Sequence, residues 1–274
     1  MQNKEFLCCS LLFIVYRLLF TIYYLLFTNI MIPKAIILRG TGTNCDIETA
    51  QAFEYVGAQS DIVHINELLA GKKRINDYDI LALPGGFSYG DDISAGKIYA
   101  LKMRTLKKDL EKFIAAQKPL IGICNGFQIL VKTGYLPENK KNAQTSTLFL
   151  NDAGHFICKW IKVRINKKSP CIFTKGLPEE FELPIAHGEG KFIPGDKKTL
   201  DEIVKKNLNA LSYVDNPNGS VLDIAGICNA HGNILGLMPH PERTFFGIQT
   251  PDRRSKELLS VGYAFFKNAI DYVK

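Results

Sequence analysis

KPLIGICNGFQIL, residues 118–130, contains a short apolar run that ends at a single cysteine. The run Leu120–Ile123 has the length and composition of a buried strand, and a helix is predicted directly after Cys124. A residue between a strand and a helix N-terminus lies on a sharp turn, where the helix dipole favours the thiolate form of a thiol. Gly122 and Gly126 supply the small neighbours that such a turn requires. The stretch therefore predicts a nucleophilic thiol at the carboxyl end of a strand.

Strands and helices alternate on the N-terminal side of this segment. Continuous apolar runs predict strands at 34–40, 60–65, 79–86 and 119–124. Between them, helices are predicted at 44–57, capped by Asn44 or Asp46 with Ile47 on its inner face, and at 106–118. Continuous apolar strands separated by helices indicate an α/β fold with a mostly parallel central sheet flanked by helices.

The C-terminal half is richer in glycine and proline. Its apolar segments predict further strands that extend the sheet, with a hairpin turn at 231–233, and residues 255–273 predict an amphipathic closing helix. Neither a linker nor an internal repeat is evident. One domain covering residues 31–274 is therefore expected.

Residues 1–30 differ from the rest of the chain. The segment Phe6–Phe27 is almost wholly apolar and long enough to span a bilayer, although Arg17 lies in its middle. The sequence from Met31 resembles the start of a cytoplasmic protein, with a strand directly after it. We therefore expect residues 1–30 to result from a misassigned start, with a membrane anchor as the alternative.

Composition excludes several classes of protein. The chain of 274 residues is 46% hydrophobic and 22% charged, with a formal net charge of +7 spread over short Lys/Arg groups. No basic stretch is interleaved with aromatic residues, so nucleic acid is not expected as a partner. Seven cysteines without a CxxC pair predict neither a disulfide framework nor a metal site, and a cytoplasmic location is expected.

A thiolate nucleophile requires a base, and one of the five histidines has a suitable setting. In the segment LMPHPER, the flanking prolines hold His240 away from helix, and an extended chain would point His240 and Glu242 the same way. A carboxylate beside an imidazole fixes its tautomer and stabilises its charged form. Cys124, His240 and Glu242 are therefore the predicted catalytic residues.

These motifs resemble those of a known family. GICNGFQ (122–128) is similar to the nucleophile motif of class I glutamine amidotransferases, and HPE (240–242) matches their remaining triad residues. Within that superfamily, the chain resembles the glutaminase subunits of phosphoribosylformylglycinamidine synthase through LRGTGTNCD (38–46), LPGGFSYGDD (83–92), AHGEGKF (186–192) and MPHPER (238–243). The resemblance implies a flavodoxin-like amidotransferase fold and hydrolysis of L-glutamine for purine biosynthesis.

The resemblance also implies further roles and partners. Gly86 and Asn125 would offer backbone N–H groups to the oxyanion, and Gln128 would help to position the substrate. Ammonia would pass to a synthetase subunit that uses ATP and Mg²⁺, with a small accessory subunit as a further partner. No cofactor is expected in this chain, because GTGTNC and GEGKF lack the full pattern of a nucleotide-binding loop. The alternatives are another class I amidotransferase, a related flavodoxin-like hydrolase, or a membrane-tethered binding protein without activity.

Overall fold

A nine-stranded sheet in the order β2-β1-β3-β4-β11-β10-β9-β6-β7 is the centre of the molecule. The computed structural model describes residues 31–137, 143–251 and 258–274, so the predicted extension 1–30 lies outside the described residues. The strands of this sheet are β1 (Lys34–Arg39), β2 (Gln59–His64), β3 (Ile80–Leu83), β4 (Leu120–Ile123), β6 (Ile157–Ile165), β7 (Glu180–His187), β9 (Asn209–Tyr213), β10 (Ile224–Cys228) and β11 (Ile234–Leu237). A separate antiparallel pair is formed by β5 (Ser146–Phe149) and β8 (Lys191–Pro194).

Half of the central sheet is parallel. Strands β2, β1, β3, β4 and β11 pair in parallel, whereas β10, β9, β6 and β7 continue the sheet in antiparallel pairs. Strands β1, β3 and β4 are buried along their apolar residues, as expected for a sheet that is covered on both faces. The predicted α/β fold is confirmed, and the glycine-rich C-terminal segments form the antiparallel part.

Seven α-helices are described. They are α1 (Asp46–Tyr55), α2 (Ile65–Leu69), α3 (Lys97–Thr105), α4 (Lys107–Ala115), α5 (Asn125–Thr133), α6 (Lys197–Lys205) and α7 (Val261–Val273). Every residue of α5 is buried, which places the helix that follows Cys124 inside the protein. Among the described residues, no helix combines the length and the apolar character needed to cross a bilayer.

Two details of the first predicted helix are wrong. Cys45, and neither Asn44 nor Asp46, occupies the N-cap of α1 and makes no side-chain capping bond. Ile47, predicted to face inward, is 61% exposed, whereas Phe53 is fully buried. The buried face of α1 is set by its packing on the sheet, and Asp46, which pairs with Arg39, is on that face instead.

Three neighbouring strands place the predicted site. Leu83 of β3, Ile123 of β4 and Leu237 of β11 are the last residues of adjacent parallel strands. The segments that follow them carry Gly86, Cys124 and His240, respectively. Because the carboxyl ends of parallel strands meet at one edge, three segments that are distant in sequence converge there.

Candidate active site

Cys124 lies on the strained turn that the sequence predicts. It connects β4 to α5 with φ 51° and ψ −104°, and its backbone N–H donates to the carbonyl oxygen of Leu237 at 2.8 Å. A non-glycine residue with positive φ is uncommon, and strain of this kind is concentrated at functional sites. The turn fixes the thiol at the N-terminus of a buried helix.

The two glycines beside the turn are required by close packing. A Cβ at Gly122 would lie 2.6 Å from Leu130 Cδ1, and a Cβ at Gly126 would lie 1.9 Å from the carbonyl oxygen of Leu83. Both distances are far below a normal contact, and the second neighbour is backbone that cannot turn aside. The predicted need for small residues is thus explained by the packing of α5 directly on β3 and β4.

His240 and Glu242 form a buried pair. Nδ1 of His240 lies 2.6 Å from Oε1 of Glu242, and both side chains are almost fully inaccessible to solvent. Burial alone would lower the pKa of His240, but the Glu242 carboxylate and then the Cys124 thiol outweigh it and raise the pKa well above its usual value. The imidazolium form of His240 is therefore favoured.

The backbone of this pair differs from the predicted extended chain. Residues Pro241–Thr244 form a short 3-10 helix, and His240 is its N-cap residue. Pro241 at the first helical position favours this start, because its ring already fixes a helical φ and it has no N–H to satisfy. The predicted contact between His240 and Glu242 is present, but a helical turn produces it.

The thiol and the imidazole converge around Gly85. A Cβ at that position would lie 2.8 Å from His240 Cε1 and 3.4 Å from Cys124 Cβ. Cys124 lines a cavity of about 180 Å³, and its Sγ lies 3.6 Å from the carbonyl oxygen of Ala186. An adjoining cavity is lined by both Cys124 and His240. All three predicted catalytic residues are thus brought together at the carboxyl edge of the parallel strands.

The two predicted oxyanion donors flank the thiol. Gly86 lines the same cavity with φ 141°, and a Cβ there would lie 2.7 Å from the backbone nitrogen of Asn44. Asn125 is the first residue of α5, so its N–H has no acceptor within the helix. These positions suit the predicted role, which stays a prediction.

Gln128 lines the cavity, but its side-chain amide is engaged by the protein. Its Oε1 accepts a hydrogen bond from Asn125 Nδ2 at 2.9 Å, and its Nε2 donates to the carbonyl oxygen of Glu189 at 2.6 Å. Gln128 therefore holds the segment after β7 against α5. This arrangement favours positioning of the substrate through that segment.

Two carboxylates line the cavity that were not predicted as site residues. Asp91 accepts from Asn125 Nδ2 at 3.3 Å, and burial raises its pKa to about 6. Glu189 accepts two contacts from the backbone N–H of Ala95, at 3.1 and 3.2 Å. Both belong to motifs that carry the family resemblance, so the signal was present in FSYGDD and HGEGKF.

Cys45 is a second thiol beside the triad. Arg243 Nη2 donates to Cys45 Sγ at 3.0 Å, and a Cβ at Gly85 would lie 3.1 Å from the same sulfur. Cys45 therefore also neighbours His240, although it is the N-cap residue of α1 and does not follow a strand directly. Burial raises the pKa of Cys45, which favours the unreactive thiol form.

Donor atoms of Cys45, His240 and Glu242 lie within 4.8 Å of one another. Two of these groups already contact each other, and the third faces the guanidinium of Arg243. A fixed cation beside the thiol disfavours a metal ion, so we interpret the cluster as an acid–base group. The expected absence of a metal stays a prediction.

Known proteins are similar to this chain over most of its length. Residues 32–273 match the sequence model of the CobB/CobQ-like glutamine amidotransferase domain. The chain is 43% identical over 270 residues to phosphoribosylformylglycinamidine synthase subunit PurQ of Treponema denticola, which covers 89% of this chain and 100% of that protein. Identity to subunit PurQ of Dehalococcoides mccartyi is 44% over 250 residues, covering 88% and 98%.

Solved structures show the same architecture. The structure of PurLQS from Thermotoga maritima aligns with a TM-score of 0.71 at 32% identity, covering 89% of this chain and 100% of that chain. A glutamine amidotransferase from the same organism, at 15% identity and a TM-score of 0.51, supports the fold alone. The predicted flavodoxin-like amidotransferase fold is confirmed. The domain match and the relatives that are 43% and 44% identical show that the chain belongs to the PurQ family of glutamine amidotransferases.

Proposed function

We propose that this chain is the glutaminase subunit of phosphoribosylformylglycinamidine synthase and hydrolyses L-glutamine to glutamate and ammonia. The observation that carries the chemistry is the buried 2.6 Å contact between His240 and Glu242 beside a thiol on a strained turn. A nucleophile, a base and a group that orients the base are the parts required for covalent acyl transfer.

Cys124 attacks the carboxamide carbon of glutamine as the thiolate, with its proton held by His240. The raised pKa of His240 favours that proton transfer, and the Glu242 carboxylate stabilises the resulting imidazolium. As the C–N bond breaks, His240 passes the proton to the leaving nitrogen. A γ-glutamyl thioester on Cys124 and free ammonia result.

Negative charge on the carbonyl oxygen is stabilised by backbone N–H groups of Gly86 and Asn125, one on each side of Cys124. The positive end of the α5 dipole adds to this stabilisation. His240 then removes a proton from water, which attacks the thioester, so that glutamate leaves and the thiol is regenerated. Gln128 supports the substrate through its bond to the Glu189 backbone.

Ammonia is used by a synthetase subunit, which converts formylglycinamide ribonucleotide to formylglycinamidine ribonucleotide in purine biosynthesis. The relatives are named as subunits of this synthase, and a solved relative is part of PurLQS. We propose that the synthetase and a small accessory subunit are the partners, and that ATP and Mg²⁺ are used by the synthetase.

A cytoplasmic location is part of the proposal. The described cysteines are free thiols, including the exposed Cys158. Free thiols are typical of a reducing compartment.

The nucleophile is tested by Cys124→Ala in the assembled complex. We expect loss of glutamine-dependent synthesis with ammonia-dependent synthesis retained, because only ammonia release uses the thiol. The measurement is product formation with each nitrogen source, together with glutamate release.

Cys158→Ala is the matched control, because that cysteine is exposed on β6 and outside the cavity. It should support both reactions at the wild-type rate. Glutamate release by Cys124→Ala at the rate of the control would overturn the assignment.

A further inference from the structure

His187 is a second buried histidine in the cavity of Cys124, and the proposed mechanism does not use it. It is the last residue of β7, is 2% exposed, and lines the cavity together with Cys124 and Glu189. The carbonyl oxygen of the preceding residue, Ala186, is the group that lies 3.6 Å from Cys124 Sγ. His187 therefore neighbours the reacting end of the cavity.

Asn151 fixes the tautomer of His187. Asn151 Oδ1 accepts from the backbone N–H of Gly190 at 3.1 Å, and Asn151 Nδ2 donates to the carbonyl oxygens of His155 and His187. A backbone N–H only donates and a carbonyl only accepts, so the orientation of the amide is determined. Nδ1 of His187 lies 3.1 Å from the same Oδ1 and must be the donor.

The other ring nitrogen of His187 is a bare acceptor. Nε2 is buried and has no hydrogen-bond partner among the described residues. Burial and then the charge of His240 lower the pKa of His187 to about 4, so the ring is neutral at physiological pH. A buried acceptor left without a donor calls for an explanation, and a ligand with an N–H group provides one.

We propose that Nε2 of His187 accepts a hydrogen bond from the leaving nitrogen of glutamine and holds it while His240 delivers the proton. An acceptor cannot stabilise the oxyanion, because its lone pair would face negative charge. Asp91 and Glu189 line the same cavity as carboxylates that can receive the α-ammonium group of glutamine, with Lys132 Nζ 3.8 Å from Glu189 Oε2 as a further charge. Of the N–H groups of glutamine, only those of the leaving nitrogen are then left for Nε2 of His187. The leaving nitrogen departs beside His240, and His240 is near enough to His187 for its charge to lower the pKa of that ring.

This proposal rests on the proposed glutaminase activity, and a change of leaving group tests it separately. L-Glutamine and the γ-methyl ester of L-glutamate form the same thioester on Cys124, but the ester releases methanol, whose oxygen carries no hydrogen in the substrate. The ratio of kcat/KM for glutamine to kcat/KM for the ester therefore reports contacts to the leaving nitrogen. Both constants are measured with the full chain in complex with its synthetase.

His187→Met and His187→Gln form the matched pair of variants, since the two side chains are similar in size but only Gln offers a strong hydrogen-bond acceptor, the Met thioether being a weak one. We expect His187→Met to lower the glutamine-to-ester ratio roughly 3- to 10-fold, the effect of one neutral hydrogen bond, and His187→Gln to restore most of it. His231→Gln, in an exposed turn outside the cavity, should leave the ratio unchanged.

Gly190→Ala gives the same test with the imidazole kept. A Cβ there would lie 2.2 Å from His187 Cε1 and 2.7 Å from Nε2, so the ring must move and the ratio should fall. This variant decides the question if His187→Met does not fold.

Other outcomes overturn the proposal. An unchanged ratio in both His187→Met and Gly190→Ala excludes contact with the leaving nitrogen. A parallel loss of kcat/KM on both substrates indicates a contact to the α-ammonium group or a purely structural role. An equal loss of kcat on both substrates at constant kcat/KM indicates a contact to the hydrolytic water. If the wild-type complex hydrolyses neither substrate, the proposed function itself fails.

Discussion

The contact between His240 and Glu242 allows the loss of kcat/KM in Glu242→Gln to be predicted. The variant keeps the shape of the side chain and an oxygen that can accept from Nδ1, but removes a negative charge 2.6 Å from the ring. A hydrogen bond to a charged group contributes about 1.5 to 3 kcal/mol and a neutral one about 0.5 to 1.5 kcal/mol. The difference of about 1 to 2.5 kcal/mol corresponds to a roughly 5- to 70-fold lower kcat/KM for glutamine.

The direction of the pH effect follows from the same contact. Glu242 raises the pKa of His240, so Glu242→Gln must lower it. Catalysis needs the protonated imidazole as proton donor, and activity is lost as the pH rises through the pKa of His240. The alkaline limb of the kcat/KM profile should therefore move to lower pH in the variant.

Glutamate release measured across the neutral and alkaline range gives both quantities. Glu180→Gln, which removes an exposed carboxylate paired with Arg164, is the control for loss of a charge, and thermal unfolding shows that each variant is folded. A Glu242→Gln enzyme with kcat/KM within twofold of wild type and an unmoved alkaline limb would refute the role assigned to Glu242.

Two further predictions concern packing and partners. Gly126→Ala should lower the free energy of unfolding by about 1 to 3 kcal/mol, because its Cβ would collide with the carbonyl oxygen of Leu83. Urea unfolding measures this, and Gly188→Ala, whose Cβ would approach only Phe156 at 3.9 Å, serves as control; equal losses in both would contradict the packing argument. Glutamine hydrolysis by the isolated chain should be roughly 5- to 150-fold slower than in the complex, the range for coupling of about 1 to 3 kcal/mol between linked sites. Steady-state assays with and without synthetase, nucleotide and acceptor decide this, and equal rates would contradict control by the partner.

The part of the site that could be predicted from sequence is the part encoded locally. The strand, the thiol and the helix around Cys124 are consecutive, and the glycines that permit the turn lie within two residues of it. His240 and Glu242 were also predictable as a pair, since two residues of separation guarantee proximity. The conformation between them was not, because Pro241 suits both an extended chain and the first turn of a helix.

Residues that reach the site through tertiary packing lie in motifs of the family resemblance, Cys45 in LRGTGTNCD and His187 in AHGEGKF, but their place beside Cys124 could not be predicted from spacing. Cys45 is the N-cap residue of α1 and meets His240 only because β1, β3 and β11 lie in one sheet. His187 ends an antiparallel strand near the sheet edge and reaches the cavity because the backbone of β7 contacts the HPE segment, where Pro184 accepts from the N–H of His240 at 2.9 Å. Sequence spacing carries no information about such contacts between distant strands.

In the proposed arrangement, two imidazoles on adjoining cavities that share Cys124 place a proton donor and a hydrogen-bond acceptor on the same nitrogen of the substrate. Nδ1 of His240 contacts a carboxylate, which keeps the ring protonated. Nδ1 of His187 contacts a neutral amide instead, and the pKa of that ring is lowered to about 4. Their environments push the two pKa values apart, which is how enzymes separate acid and base roles between like residues. Glu242 thus makes His240 the group that gives a proton, whereas burial and the charge of His240 keep His187 neutral and Asn151 fixes its tautomer, so that His187 receives a hydrogen bond. A substitution that changes the charge at Glu242 or at Asn151 should therefore change the rate at which the leaving nitrogen is released more than it changes the affinity for glutamine.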